Sequence, residues 1–155
     1  MADVHSAATR SRNMRAIRSG NTKPELLLRK ILHHAGFRYR LHSGQLPGKP
    51  DLVLKKYKVV IFVHGCFWHK HDCHLFRLPK TRQCWWKTKL TENRMRDLAN
   101  EDKLRERGWR VAVVWECALK GKARLEPAEL LAHIKEWIES GNDSYLEVPE
   151  PSLSS

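Results

Sequence analysis

The sequence predicts a single α/β domain in which helices flank a mixed central sheet. Three short strand-like segments lie between two helical patterns, and a fourth apolar strand follows the second helix. Short links between the first three strands favour antiparallel pairing, whereas a strand–helix–strand connection favours parallel pairing. A chain of 155 residues with 41% hydrophobic and 30% charged side chains fits one folded domain and excludes a disordered or collagen-like chain.

The first helix is predicted by a capping box at residues 22–25. Thr22 takes the N-cap position, Glu25 follows three residues later, and Pro24 lies in the first turn, where its missing N–H costs nothing. Apolar residues then recur at steps of three and four until a glycine ends the helix. These residues are Leu27, Leu28, Ile31, Leu32, Ala35 and Gly36.

Strand patterns follow at residues 37–41, 52–54 and 59–63. The first segment alternates between polar and apolar side chains, as a half-buried strand does. The third is apolar at every position, which predicts that it is buried on both faces of the sheet.

The second half of the chain supplies the remaining elements. A long helix over about residues 85–107 leads into a fourth strand at residues 109–115. Pro127 lies at the start of a last amphipathic helix, which stops at Gly141 and closes the sheet.

The charge of the chain indicates a polyanionic partner. Lys and Arg number 29 against 17 Asp and Glu, which gives a net charge of +12 and a sequence pI near 9.9. Residues 1–58 hold 13 basic and 3 acidic side chains, a net +10, whereas residues 142–155 hold 0 and 3, a net −3. We therefore expect one functional domain at residues 1–141, with residues 1–20 as a basic DNA-contacting arm, and a flexible acidic tail at 142–155. A basic surface that only aids solubility is the alternative.

The location of the chain follows from what the sequence lacks. Its longest aliphatic and aromatic run, residues 59–63, is five residues long, whereas a bilayer span needs about twenty. The first six residues lack the apolar core of a secretory signal, so we expect a cytoplasmic protein with no membrane partner. In that compartment the four cysteines suit metal ligation or free thiols better than disulfides.

A zinc site is indicated by two cysteines and four histidines within residues 64–74. Thiolate and imidazole are the ligands that Zn²⁺ prefers, and four protein ligands leave a structural ion with no open position. Cys66 and Cys73 are the first two ligands, and we favour Cys117 over Cys84 as another because a parallel fourth strand would end near Cys66. The remaining ligand is one of His69, His71 and His74. Buried thiols with surface histidines and no metal are the alternative.

A second, oxygen-rich site is predicted at Asp51. The rigid turn through Pro50 delivers this carboxylate to the end of an apolar strand, beside the strand that ends at His64. Mg²⁺ takes one or two carboxylates together with water and phosphate, so Asp51, a strand carbonyl and Glu25 would form a half-open site. The alternatives are an ordinary turn aspartate and a purely capping glutamate.

Two aromatic pairs are interleaved with cations. Phe67-Trp68 and Trp85-Trp86 lie in or beside residues 70–96, which contain 8 basic and 2 acidic side chains, a net +6. Aromatic rings among basic groups provide base stacking and phosphate neutralisation together. Rings that only cover the zinc loop are the alternative.

Several of these motifs together resemble the very short patch repair (Vsr) endonuclease family. The resemblance covers about residues 9–138 and is specific, because unrelated motifs occur in one order. The motifs are Arg12-Asn13-Met14-Arg15-Ala16-Ile17, Pro50-Asp51, Phe62-Val63-His64-Gly65-Cys66-Phe67-Trp68-His69, His71-x-Cys73 and Val114-Trp115-Glu116-Cys117-Ala118-Leu119.

The resemblance implies a fold of the restriction-endonuclease type with a zinc-bound loop. It implies a Mg²⁺-dependent, strand-specific nick in double-stranded DNA at a T:G mismatch, which arises by deamination of 5-methylcytosine and starts very short patch repair. Such a protein would be a monomer of bacterial type, associated with the nucleoid when bound to DNA, with repair-pathway proteins as further partners.

The resemblance also implies roles for particular residues. Asp51 would be the principal magnesium ligand, together with the main-chain carbonyl of Val63, where family members often carry Thr. His69 would act as general base or orient water, with Glu25 and His64 in support. The structural zinc would be held by Cys66, His71, Cys73 and Cys117, which leaves Cys84 free. The DNA-binding residues would be Phe67, Trp68 and Trp86 as wedges, Met14 from the other groove, and Lys89 at the mismatched pair.

Two other functions remain open from the sequence. One is a zinc-stabilised module that binds mismatched or distorted DNA without cutting it. The other is a nuclease in which the zinc itself is catalytic, and this requires an exchangeable position on the ion.

Overall fold

The computed structural model describes residues 21–151. The N-terminal arm predicted at residues 1–20, with Met14, lies outside the described residues. The elements in chain order are α1 (Lys23–His34), β1 (Arg40–Leu41), β2 (Leu52–Leu54), a 3₁₀ turn (Lys55–Tyr57), β3 (Val59–His64), α2 (Gln83–Glu106), β4 (Arg110–Trp115), α3 (Glu116–Leu119), α4 (Pro127–Ser140) and β5 (Tyr145–Val148).

The strands form one five-stranded sheet in the order β1-β2-β3-β4-β5. The first three pair antiparallel, and β3 with β4 and β4 with β5 pair parallel. The predicted α/β class with a mixed sheet flanked by helices is therefore confirmed. The β3–β4 register sets Val63 beside Val114 and His64 beside Trp115, so both strands end at one edge of the sheet.

Side chains of the sheet alternate between two hydrophobic layers. On one face, the layer containing Leu52, Ile61 and Val114 packs against buried residues of α1 and α4. On the other face, the layer containing Val60, Phe62 and Val113 packs against Leu104 of α2. Burial of β3 on both faces confirms the expectation from its unbroken apolar pattern.

The capping box starts α1 as predicted. The hydroxyl of Thr22 accepts a hydrogen bond from the Glu25 N–H at 3.4 Å, and Leu28 and Leu32 are fully buried. At the other end Gly36 has φ of +95°, and the N–H of Phe37 returns to the carbonyl of Leu32 at 3.0 Å. This cap keeps Phe37 in the core and outside the first strand, which is shorter than predicted.

The C-terminal segment differs from the sequence prediction. Residues 142–155 were expected to form a flexible tail, but Tyr145–Val148 pair with β4 as the edge strand of the sheet. The pairing adds backbone hydrogen bonds, and Val148 is buried against the core. The expectation of a loose tail is wrong for these four residues. None of the helices in residues 21–151 has the length and apolar character of a bilayer span.

Glu101 of α2 is a charged residue at a buried position. It is 2% exposed, and its Oε2 atom has no hydrogen-bond partner among the described residues. Burial raises its pKa to about 7, against the opposing charge of Arg94. Folding therefore favours the protonated carboxyl at this position.

We expect Glu101→Gln to alter stability in a pH-dependent way. Because the pKa of Glu101 is raised in the folded state, the free energy of unfolding falls as pH rises from the ordinary glutamate pKa to about 7. The glutamine side chain does not titrate, so the variant does not lose this stability. From pH 5 to pH 8 the free energy of unfolding of the variant should rise by about 2 kcal/mol relative to that of the wild type. Urea unfolding at the two pH values measures this difference. If stability changes with pH in the same way in both proteins, Glu101 is not the source of the pH dependence.

Candidate active site

A cleft of about 890 Å³ opens at the edge of the sheet where β3 and β4 end. Its floor includes Glu25, Asp51 and His64, and the groups on its wall include His69 and Asp97. Basic side chains stand around the cleft, namely Lys23, Lys49, Lys89, Arg96 and Lys120. The cleft therefore combines an acidic floor with a basic surround, as an enzyme that cuts a polyanion requires.

Asp51 is fixed at the turn before β2. Its Oδ2 atom accepts a hydrogen bond from the main-chain N–H of Val63 at 2.7 Å, which ties the carboxylate to the neighbouring strand β3. Asp51 and Val63 are therefore brought together, as the sequence predicted for a strand-edge site.

Glu25 is held in the first turn of α1 and is 1% exposed. Its Oε2 atom accepts from the Asn21 N–H at 2.6 Å and from the Arg29 guanidinium. The Nε2 atom of His42 lies 3.2 Å from Glu25 Oε1 and 3.9 Å from Asp51 Oδ1. Ligand atoms of Glu25, His42 and Asp51 all lie within 4.8 Å of one another, so the three residues could hold a cation.

The two carboxyls shift each other's ionisation. Burial raises the pKa of Asp51 well above its usual value, and the hydrogen bond and charge of Glu25 raise it further. Burial alone would also raise the pKa of Glu25, but hydrogen bonds with Asp51, Asn21 and His42, and the charge of Arg29, bring it below its usual value. Two carboxyls in this relation favour a proton or a cation shared between them. The oxygen donor set fits a divalent cation such as Mg²⁺.

His69 is paired with Asp97 of α2, a residue that the sequence reasoning missed. The His69 Nδ1 atom and the Asp97 Oδ2 atom are 2.5 Å apart. Because a carboxylate accepts, Nδ1 carries the proton in this pair, and in the neutral imidazole the lone pair is then on Nε2, which could take a proton from water. Asp97 is 28 residues from His69 in sequence. The helical spacing of Lys89, Asn93 and Asp97 on the cleft side of α2 is the only sequence signal that points to it.

His64 packs against the His69–Asp97 pair through its ring. Its ring stacks on His69 with centroids 3.8 Å apart and planes at 16°. His64 is 5% exposed, and burial, then the neighbouring His69, lower its pKa well below the usual value. A neutral imidazole therefore forms part of the cleft floor.

Cys66, His71, Cys73 and Cys117 come together at the end of β3 and β4. Their ligand atoms lie within 4.8 Å of one another, and His71 Nδ1 is 3.5 Å from Cys66 Sγ and 3.6 Å from Cys117 Sγ. The parallel pairing of β3 and β4 brings Cys117 here, whereas Cys84 is exposed on α2. Three thiols and one imidazole fit a tetrahedral structural zinc.

Neighbouring groups surround this Cys/His cluster. The Trp115 ring stacks on the His71 ring with centroids 4.1 Å apart, and Glu116 Oε1 accepts from the Cys66 N–H at 3.1 Å. The hydrogen bond with Cys117 and burial raise the pKa of the Cys66 thiol far above its usual value. Thiols held this close are a donor set that a bound cation would convert to thiolates.

The predicted wedge residues form one aromatic cluster beside the cleft. Ring centroids of Phe67 lie 5.1 Å from Trp68 and 5.4 Å from Trp86. Asn93 of α2 donates to the main-chain carbonyl of Trp68 at 3.2 Å, which holds the cluster against the helix. Lys89 lies in the cleft wall of the same helix. Phe67, Trp68, Trp86 and Lys89 are thus brought together, while Met14 lies outside residues 21–151.

An acidic floor, a histidine–aspartate pair and a basic, aromatic surround at the strand ends of a mixed sheet define a nuclease. Comparison with known proteins makes this class specific. The profile described as "DNA mismatch endonuclease Vsr" matches residues 2–75. The chain is 48% identical to the DNA mismatch endonuclease Vsr of Escherichia coli (strain K12) over 138 residues, which is 89% of this chain and 88% of that protein.

Two nicking enzymes are similarly related. The type II nicking enzyme V.NmeAIP of Neisseria meningitidis serogroup A is 49% identical over 79% of this chain and 88% of its own length. The type II nicking enzyme V.XorIIP of Xanthomonas oryzae pv. oryzae is 48% identical over 81% of this chain and 93% of its own length. The chain belongs to the Vsr family of DNA mismatch endonucleases, and the resemblance drawn from its motifs is confirmed.

We expect Cys73→Ala to abolish metal binding at the Cys/His cluster and to destabilise the fold. Structural zinc contributes directly to folding free energy, and a loss of several kcal/mol lowers the melting temperature of a chain of this size by about 10 °C or more. Metal content by mass spectrometry and thermal unfolding measure the two effects. Cys84→Ala is the matched control, since Cys84 is exposed and outside the cluster. Unchanged metal content in Cys73→Ala would refute the assignment.

Proposed function

We propose that this chain nicks one strand of duplex DNA at a T:G mismatch, in a reaction that requires a divalent cation such as Mg²⁺. Endonuclease activity follows from the family, whose relatives include a DNA mismatch endonuclease and type II nicking enzymes. The observation that carries the proposal is the opening of the Asp51–Glu25 carboxylates and the His69–Asp97 pair onto one basic cleft.

The cation would be held by Asp51 and the main-chain carbonyl of Val63, with Glu25 in support. When bound, it would supply Lewis-acid stabilisation of the negative charge that develops on the phosphate. Val63 is suited to this role because its N–H fixes Asp51, and its side chain is not required for a carbonyl ligand.

His69 then acts as the general base. Its Nε2 lone pair takes a proton from the attacking water, and Asp97 orients the ring and stabilises the imidazolium that forms. The water oxygen bonds to phosphorus while the bond from phosphorus to the 3′ oxygen breaks, and the 3′ oxygen takes a proton from solvent. The products have 5′-phosphate and 3′-hydroxyl ends. The stacked, neutral His64 keeps His69 in place without adding a competing positive charge.

The Cys/His cluster has a separate, structural role in this proposal. Zinc held by Cys66, His71, Cys73 and Cys117 would have four protein ligands and no position for water, so catalysis by that ion is disfavoured. The cluster fixes the loop that carries Phe67, Trp68 and His69 between two of its ligands. The same loop therefore supplies the general base and part of the wedge.

Recognition of the mismatch would use the aromatic cluster. Phe67, Trp68 and Trp86 would insert into the base stack, where a mispaired step costs less to unstack than a paired one. Lys89 would contact the mismatched pair, and Met14 of the arm would approach from the other groove. All of these groups come from one chain, so the enzyme would act as a monomer.

Removal of the catalytic groups should separate cutting from binding. We expect Asp51→Ala and His69→Ala to lower the nicking rate to background, and Asp97→Asn to lower it by about 10²–10⁴-fold, the range of general-base catalysis. Affinity for the mismatched duplex should remain close to that of the wild type, because the wedge and phosphate contacts are retained. Single-turnover nicking and gel-shift titrations measure the two quantities.

Asp102→Asn is the control for Asp97→Asn, because Asp102 lies on the same helix in an exposed ion pair with Arg105. Equal losses of binding and cutting in the Asp51 and His69 variants would contradict this division of roles. Full nicking activity in the Asp51→Ala preparation would indicate that a contaminating nuclease cuts the DNA and that this chain only binds it.

The substrate is tested by nicking of otherwise identical duplexes that contain T:G, A:C or no mismatch. We expect a nick in one strand of the T:G duplex only, and only when Mg²⁺ is added to zinc-loaded protein. Binding of the T:G duplex without any nick would support the zinc-stabilised, non-cleaving module. A nick in EDTA would contradict the need for a divalent cation.

A further inference from the structure

The side chain of His42 lies beside the two carboxylates of the active site, and no motif in the sequence predicted it there. We propose that His42 is an additional protein ligand of the cation held at Asp51, and that this imidazole makes the site bind Mn²⁺ more tightly than Mg²⁺. The inference rests on the proposed function, since it concerns the same cation. It names a further residue of the site and the class of ion that the residue favours.

The main chain fixes His42 at the active site. The N–H of His42 donates to the carbonyl of Asp51 at 3.1 Å, where the chain leaves β1 and before it enters β2. The residue adopts φ of +44°, a conformation that a non-glycine residue rarely takes. This backbone geometry accompanies a side chain directed at Glu25 and Asp51.

Glu25, His42 and Asp51 direct ligand atoms at one another within 4.8 Å. Oε2 of Glu25 is occupied by Asn21 and Arg29, and Oδ2 of Asp51 is occupied by Val63. His42 Nε2 lies 3.2 Å from Glu25 Oε1 and 3.9 Å from Asp51 Oδ1, and it is also 3.1 Å from Glu25 Oε2. A cation bound here would replace the contact between this nitrogen and Glu25. Two oxygens and one nitrogen thus converge on the cleft.

Arg29 does not use up the nitrogen of this set. Its Nη2 atom lies 3.2 Å from His42 Nε2, but an Nη2 group has two hydrogens, and both are taken by Asn21 Oδ1 and Glu25 Oε2. The same guanidinium offsets the charge of Glu25, so the two carboxylates and Arg29 together would present one net negative charge to a bound cation. Because the net negative charge is small, the neutral imidazole would supply a larger share of the binding energy of the cation.

The chemistry of an imidazole ligand decides the class of ion. Mg²⁺ prefers oxygen ligands and keeps much of its water, whereas imidazole favours first-row transition ions, whose affinity for a nitrogen-containing site is higher. Mn²⁺ accepts both carboxylate and imidazole ligands. A site with two carboxylate oxygens and His42 Nε2 therefore gains more for Mn²⁺ than for Mg²⁺.

The test measures binding of Mn²⁺ to the full-length, zinc-loaded protein without DNA. Electron paramagnetic resonance of free Mn²⁺ gives its dissociation constant, and competition with Mg²⁺ gives that of Mg²⁺. Electron spin-echo modulation of the bound ion detects a coordinated nitrogen. The proteins are the wild type, His42→Gln, Asp51→Asn and, as the matched control, His34→Gln, which changes an exposed histidine of α1.

We expect nitrogen modulation from the wild type and from His34→Gln, and none from His42→Gln. In His42→Gln the dissociation constant for Mn²⁺ should rise about 10-fold or more, while that for Mg²⁺ changes less than about 3-fold, because the glutamine carbonyl offers an oxygen in its place. Wild-type protein labelled with ¹⁵N-histidine gives the same information without a substitution, since the isotope changes the modulation frequencies.

Two results would overturn the inference about His42 alone. These are nitrogen modulation that persists in His42→Gln, and equal weakening of Mn²⁺ and Mg²⁺ binding in that variant. Wild-type affinity for Mn²⁺ in Asp51→Asn would instead show that the cation does not bind at Asp51, which overturns the proposed cation site together with the role of His42.

Discussion

Parallel pairing of β3 with β4 is the constraint on which the rest of the site depends. It ends both strands at one edge of the sheet, with His64 beside Trp115 and Cys117 within reach of Cys66. The antiparallel pairing of β2 with β3 then brings Asp51 to the same edge, where the Val63 N–H fixes it. Two groups of ligands from distant parts of the chain thus meet through the sheet, and neither group needs a long loop of its own.

The two groups differ in the ion that suits them. Three thiols and an imidazole form a soft, closed set, whereas carboxylates beside a wide cleft form a hard, open one. His69 lies in the short loop between Cys66 and Cys73, so a change at either cysteine would also move His69. Stability of the fold and placement of His69 are therefore linked through one segment of about ten residues.

Local sequence signals predicted the parts of the fold that local physics determines. Capping by Thr22 and the apolar repeat gave α1, and the strand–helix–strand order gave the parallel pair, from which Cys117 followed as the favoured partner of Cys66. Tyr145–Val148 was missed because a four-residue edge strand in an acidic segment owes its stability to pairing with β4. Asp97 and His42 were missed for a similar reason. Asp97 lies on a mostly exposed helix and His42 lies in a turn. Only their contacts with His69 and Glu25, which are distant in sequence, bring them into the site.

X-ray absorption at the zinc edge is the most direct test of the separation between a closed structural ion and an open catalytic site. The purified enzyme should show three sulfur neighbours at about 2.3 Å and one nitrogen at about 2.0–2.1 Å around zinc. We expect this shell to stay the same when Mg²⁺ and a mismatched duplex are added. An oxygen neighbour at zinc, or a shell that changes when substrate binds, would show that the zinc takes part in the reaction and would contradict the separation.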